Sequence, residues 1–154
     1  MNNFSQVATT LLGLLSGGMM LIALGLVPYW RSLDPAEFTS VFAASLPSVG
    51  GTMAALSVIG TVAIVVAAGL AARKKLPSRA WLSAGAAGAV IMLVTVPLYF
   101  GSANPLLAGG TLSESEIAAE LATWQQMHWF RTIVGVLALL CSIRAGYARP
   151  GENR

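Results

Sequence analysis

Charge is the scarcest property of this 154-residue chain: 10% of its residues are Asp, Glu, Lys or Arg, against roughly a quarter in an ordinary soluble domain. Together with 56% hydrophobic residues and a mean hydropathy of +0.73, that scarcity leaves no room for a water-soluble catalytic domain. Any chemistry must sit among membrane helices or in their short connections. Cysteine is nearly absent too. The lone Cys141 excludes an intramolecular disulfide and a thiol-pair redox relay within one chain. The lone His128 cannot supply a multi-histidine copper, zinc or di-iron site unless subunits share ligands, so no metal is expected. Nine basic residues outnumber six acidic ones, but this excess is read as membrane anchoring and no nucleic-acid partner is expected.

What the chain does have is long apolar runs. Crossing about 30 Å of hydrocarbon takes roughly 20 residues at 1.5 Å each, and four segments qualify, at about 7–30, 48–72, 80–101 and 124–147. The expectation is an all-α fold, a single integral-membrane four-helix bundle with a C-terminal tail over 148–154. The first segment lacks a basic leader and a small-x-small cleavage pattern, so it reads as a retained transmembrane helix. Between the first two spans, Asp34-Pro35-Ala36-Glu37 has the form of a capped helix start. Phe38, Val41, Phe42 and Ser45 follow at helical spacing, which predicts a short interfacial helix.

The charges sort by position. Arg73, Lys74, Lys75 and Arg79 lie between spans two and three, and Arg144, Arg149 and Arg154 lie at the C-terminal end. The acids Asp34, Glu37, Glu114, Glu116 and Glu120 occupy the other connections. By the positive-inside rule both termini are expected in the cytoplasm of a multi-pass protein of the plasma or inner membrane. The small-residue patterns Gly13-x-x-x-Gly17, Ala63-x-x-x-Ala67-x-x-x-Ala71 and Ala84-x-x-x-Gly88 let helices approach closely. They are read as packing within one bundle, with a homo-oligomer as the alternative use.

One charge does not sort. Arg131 lies inside the fourth apolar run, on a stripe with Ile117, Glu120, Leu121, Trp124, His128 and Gly135. The helix carrying this stripe starts earlier than its apolar run, at the capping-box sequence Ser113-Glu114-Ser115-Glu116. Counting thirteen residues from Arg144 puts Arg131 roughly 20 Å from the basic boundary, in the outer third of the membrane, with His128 a turn higher. Tyr99, Asn104, Pro97 and Pro105 reach the same level on the third helix, and Pro28, Tyr29 and Trp30 on the first. Each proline removes a helical hydrogen bond, which a membrane tolerates where protein lines a cavity. A candidate site near the outer face follows, with Arg131 pointing inward rather than snorkelling to lipid phosphates. Trp30 is read as an interface aromatic, and Asn104 as either a helix cap or a binding residue.

Trp124-x-x-x-His128-x-x-Arg131 opening the last span, the Pro97…Asn104 element ending the third, and Gly17-Gly18…Val27-Pro28 in the first resemble the anthrone-oxygenase-like family of small four-helix membrane proteins, over roughly residues 10–145. The resemblance implies a cofactor-independent oxygenase that turns an anthrone- or hydroquinone-like aromatic into a quinone with O₂. His128 would then be the catalytic base and Arg131 the stabiliser of the enolate or phenolate. Trp124 and Tyr99 would form the substrate-binding wall, and Asn104 would donate to a substrate carbonyl. The alternative is a non-enzymatic module that binds a lipid, quinone or other hydrophobic small molecule, or that assists a membrane complex. A haem or copper protein using His128 fits least, because further ligands are missing.

Overall fold

In a computed structural model describing residues 3–148, four long helices account for nearly all of the chain. They are α1 (Phe4–Ser32), α2 (Pro35–Arg73), α3 (Arg79–Ala108) and α4 (Glu114–Ala145), each long and apolar enough to cross a membrane. Their connections are short, so consecutive helices run antiparallel. Each packs on two neighbours around a square: α1 on α2 and α4, and α3 on α2 and α4. Large apolar side chains face outward, with Leu21 69% and Leu98 76% exposed. Water would penalise such a surface, whereas lipid does not, and helices satisfy their own backbone hydrogen bonds there. The protein is an all-helical, multi-pass membrane protein.

Local chemistry sets the helix ends. The Asp34 carboxylate accepts from the Glu37 backbone N–H at 2.8 Å, with Pro35 in the first turn, so the capped start is where the sequence places it. At the head of α4 the Glu116 carboxylate accepts from the backbone N–H of Ser113 at 2.8 Å and from its hydroxyl at 2.6 Å. α2 ends where Lys75 adopts a left-handed φ of 51° and the Leu76 N–H reaches back to the Ala71 carbonyl at 2.9 Å.

Two boundaries differ from the sequence reading, and proline is the reason for both. The helix beginning at Pro35 is not a separate element before a second span at 48. Pro35–Ser45 runs through a π-helical turn, Leu46–Gly50, straight into Gly51–Arg73. Pro47 has no N–H to donate and its ring crowds the preceding turn, so the helix widens and the Gly51 N–H closes it on the Leu46 carbonyl. Pro97 acts in the same way within Val96–Phe100, and α3 continues to Ala108 instead of stopping near 101. A third wide turn, Ile22–Leu26, comes just before Pro28. All three lie in the half of the bundle remote from the basic loop at 74–78. The tail expected at 148–154 falls, from residue 149 onward, outside the described residues.

The core has two layers. Toward the basic loop it is aliphatic, built from Leu12, Leu15, Ile64, Leu82 and Met92 with interleaved alanines. At the opposite end it is aromatic, built from Trp30, Phe38, Phe42, Phe100 and Trp124. Close helix contact underlies the first layer: a Cβ added at Gly85 would stand 3.1 Å from the Ala138 carbonyl oxygen, and one at Gly88 would stand 3.0 Å from the Ala138 Cβ. These small residues therefore serve packing inside the bundle. Gly17, by contrast, is exposed and open.

Candidate functional site

The α4 stripe faces inward. Ile117, Leu121, Trp124, His128, Arg131 and Gly135 are all buried, and Trp124, His128 and Arg131 share a cavity with residues of the wide turns of the other three helices. A cavity of about 410 Å³ opens among them. His128, Arg131, Trp124 and Asn104 line it, between aromatic walls of Trp30, Phe42 and Phe100.

His128 is held in one orientation. Its Nε2 lies 2.9 Å from the backbone carbonyl oxygen of Met19 on α1. A carbonyl only accepts, so Nε2 carries the hydrogen and Nδ1 is left as the acceptor of the neutral ring. Trp124 stacks on the imidazole at 4.9 Å with 9° between the planes. The indole N–H in turn donates to Asn104 Oδ1 at 2.8 Å, which ties α4 to α3 and leaves the amide hydrogens of Asn104 as the cavity donor. Trp124 meets Trp30, Phe42 and Phe100 edge-on, at centroid distances of 5.6, 6.2 and 5.5 Å. Such edge-to-face contacts fix ring planes as well as burying area.

Arg131 is 8% exposed, and its guanidinium lies 4.7 Å over the Phe100 ring. Its buried Nε has no hydrogen-bond partner, and among the described residues no carboxylate pairs with it. Burying a cation with only an aromatic face for company is costly.

The structure thus brings four of the five sequence-derived site residues together: His128, Arg131, Trp124 and Asn104. Tyr99 does not line the cavity. Its hydroxyl donates to Glu120 at 2.7 Å, and its ring contacts Phe100 edge-on at 5.1 Å, so it buttresses the wall from behind. Trp30 is not an interface aromatic but a buried wall residue, 4% exposed, because the turn at Ile22–Leu26 and the closing helix Pro35–Ser45 enclose it. Sequence reasoning missed Phe100, the role of Phe42 and the Met19 carbonyl. The i, i+4 pair Phe38/Phe42 behind the Asp34 cap was the available signal for a buried aromatic face. A backbone carbonyl leaves no trace in composition. Outside the cavity, Arg31 Nη1 donates to Gln125 Oε1 at 2.6 Å, a further tie between α1 and α4. Among the described residues no three His, Cys, Asp or Glu side chains converge as a metal site would require.

Chemically, the cavity presents aromatic walls, one oriented acceptor at His128 Nδ1, and donors at Arg131 and Asn104. No known protein family, curated protein or solved structure matches this chain.

Proposed function

We propose that the chain is a membrane-embedded, cofactor-independent oxygenase acting on a flat hydrophobic aromatic of the anthrone or hydroquinone class. The observation that carries the reading is one cavity holding both an imidazole with a free Nδ1 and an unpaired buried guanidinium, walled by aromatic rings. An anthrone has an acidic methylene between two aryl rings. His128 Nδ1 takes one of its protons, and Arg131 together with the Asn104 amide stabilises the enolate oxygen. The electron-rich anion reduces O₂ and adds it at the same carbon as a peroxide. Loss of water, carrying off the second methylene proton, leaves the quinone carbonyl, so that anthrone and O₂ give anthraquinone and H₂O. The Trp124 plane stacks the substrate and holds the imidazole against rotation. This is the chemistry that the resemblance to the anthrone-oxygenase-like family implies.

In this reading the basic loop and both termini face the cytoplasm, the stretch Pro35–Ser45 lies at the outer membrane surface, and the cavity opens at the outer leaflet of the cell membrane. A second reading draws on the lone Arg131: a module that holds the carbonyl or anionic group of a lipid or quinone without transforming it. Oxygen uptake by the purified protein with anthrone separates the two. Under the first reading His128→Ala lowers the rate by roughly 10²–10⁴-fold, the usual contribution of one general base. Full turnover without His128 would falsify the assignment, and a wild-type protein that retains a quinone or lipid and consumes no O₂ favours the second reading.

A further inference from the structure

The cavity reaches the surface on one side only among its described walls. Its lining residues on α1 and α4 are all buried, whereas the exposed ones are Gly51 and Ala54 on α2 and Gly101 and Pro105 on α3. Above this line Pro35–Ser45 packs on Gly101–Ala108, and below it Gly51–Arg73 packs along Arg79–Thr95. Between these two contacts lie the wide turns at Pro47 and Pro97, and Gly50, Gly51 and Gly101 line the cavity there. The surface flanking the gap is apolar, with Val58, Leu98 and Leu106 exposed. The hydroxyls of Ser48 and Ser102 are turned back onto carbonyls of their own helices. Counted from Arg73 and Arg79, Ala54 lies roughly 28 Å along its helix, Gly51 and Gly101 roughly 33 Å and Pro105 roughly 39 Å, so the gap runs from the edge of a 30 Å hydrocarbon layer into the headgroup region that flanks it.

We infer that ligand enters the cavity sideways from the bilayer, through a window between α2 and α3 framed by Gly51, Ala54, Gly101 and Pro105, and that the ligand class is a membrane-dissolved aromatic. Only the aromatic identity of the ligand rests on the function proposed above. The window rests on which lining residues are exposed and on where the helices part. The missing side chain at Gly51 is then functional: a Cβ added there meets no atom within 4 Å, so a larger residue obstructs open space without disturbing the fold.

The test uses a thiol on the far wall, Ile22→Cys in a Cys141→Ala chain, with Met53→Cys as a second reporter site, in phosphatidylcholine vesicles. N-(1-pyrenyl)maleimide dissolved in the bilayer labels both thiols, and a sulfonated water-soluble maleimide does not. Gly51→Leu combined with Ala54→Leu slows the membrane-borne reagent by roughly tenfold or more, which takes only about 1.4 kcal/mol of added barrier. Gly17→Leu, at a comparably open glycine on the α1 surface, leaves the rate unchanged. Equal labelling with and without the window substitutions overturns the inference, as does faster labelling from water or none from the membrane phase. Window-dependent labelling in a protein that consumes no O₂ with anthrone sinks the oxygenase and keeps the entrance. O₂ uptake with labelling indifferent to the window does the reverse.

Discussion

Replacing Trp124 by Phe and Asn104 by Leu, singly and together, isolates the hydrogen bond that ties α3 to α4 beside His128. The bond is 2.8 Å long, and its donor belongs to a side chain 6% exposed within the aromatic layer. Each single substitution removes one partner and strands the other in a low-dielectric site, a loss of about 1–3 kcal/mol. The double variant strands neither, so its cost falls short of the sum. Hydrogen bonds between membrane helices couple by about 0.6 kcal/mol on average and up to about 1.7. The short distance, the burial and the packing of Trp124 against four other rings place this bond in the upper part of that range, at about 1–1.5 kcal/mol. Reversible unfolding in mixed micelles, followed by far-ultraviolet ellipticity so that the lost indole does not bias the signal, yields the four free energies of the cycle. Lost stacking of Trp124 on His128 appears in both the single and the double variant and cancels. Coupling below about 0.3 kcal/mol, within the additivity of independent sites, would refute the claim that this contact positions the stack.

Other outcomes follow from the same geometry. Arg131→Met removes a buried, unpaired cation and replaces it with an apolar side chain of similar length. Unfolding stability then stays level or rises by about 1 kcal/mol or more while anthrone turnover falls; a marked loss of stability would show Arg131 to be structural. With Cys141 replaced by Ala, Ser78→Cys reacts with an impermeant thiol reagent only from the cytoplasmic side of oriented membrane vesicles and Thr111→Cys only from the other. The opposite pattern would invert the proposed orientation.

Much of the bundle was legible because a membrane simplifies the reading. Length and hydropathy suffice for a span, and a capping residue before an apolar run marks a start whether or not the neighbours are known, as at Asp34 and Ser113. The boundaries failed at Pro47 and Pro97 for a specific reason. In a soluble helix a proline argues for an end, but a helix packed around a cavity absorbs it as one wider turn, and nothing local to either proline tells the two cases apart. Tyr99 and Trp30 exchanged expectations on similar grounds. Both are aromatics at the same depth on helices of similar composition, and the difference of a fraction of a turn sends one ring into the wall and the other to Glu120.

By itself the sequence determined what depends on counting along the chain: four apolar helices, their antiparallel order, and a single helical stripe carrying Trp124, His128 and Arg131. Periodicity and length are one-dimensional properties, and the hydrocarbon layer converts them directly into structure. Only the tertiary structure decided what those side chains meet. The Met19 carbonyl that fixes the imidazole, the Phe100 face beneath Arg131 and the gap between Gly51 and Gly101 each join residues far apart in sequence. Such contacts arise from how bent helices lean on one another, and no spacing within any one helix encodes that.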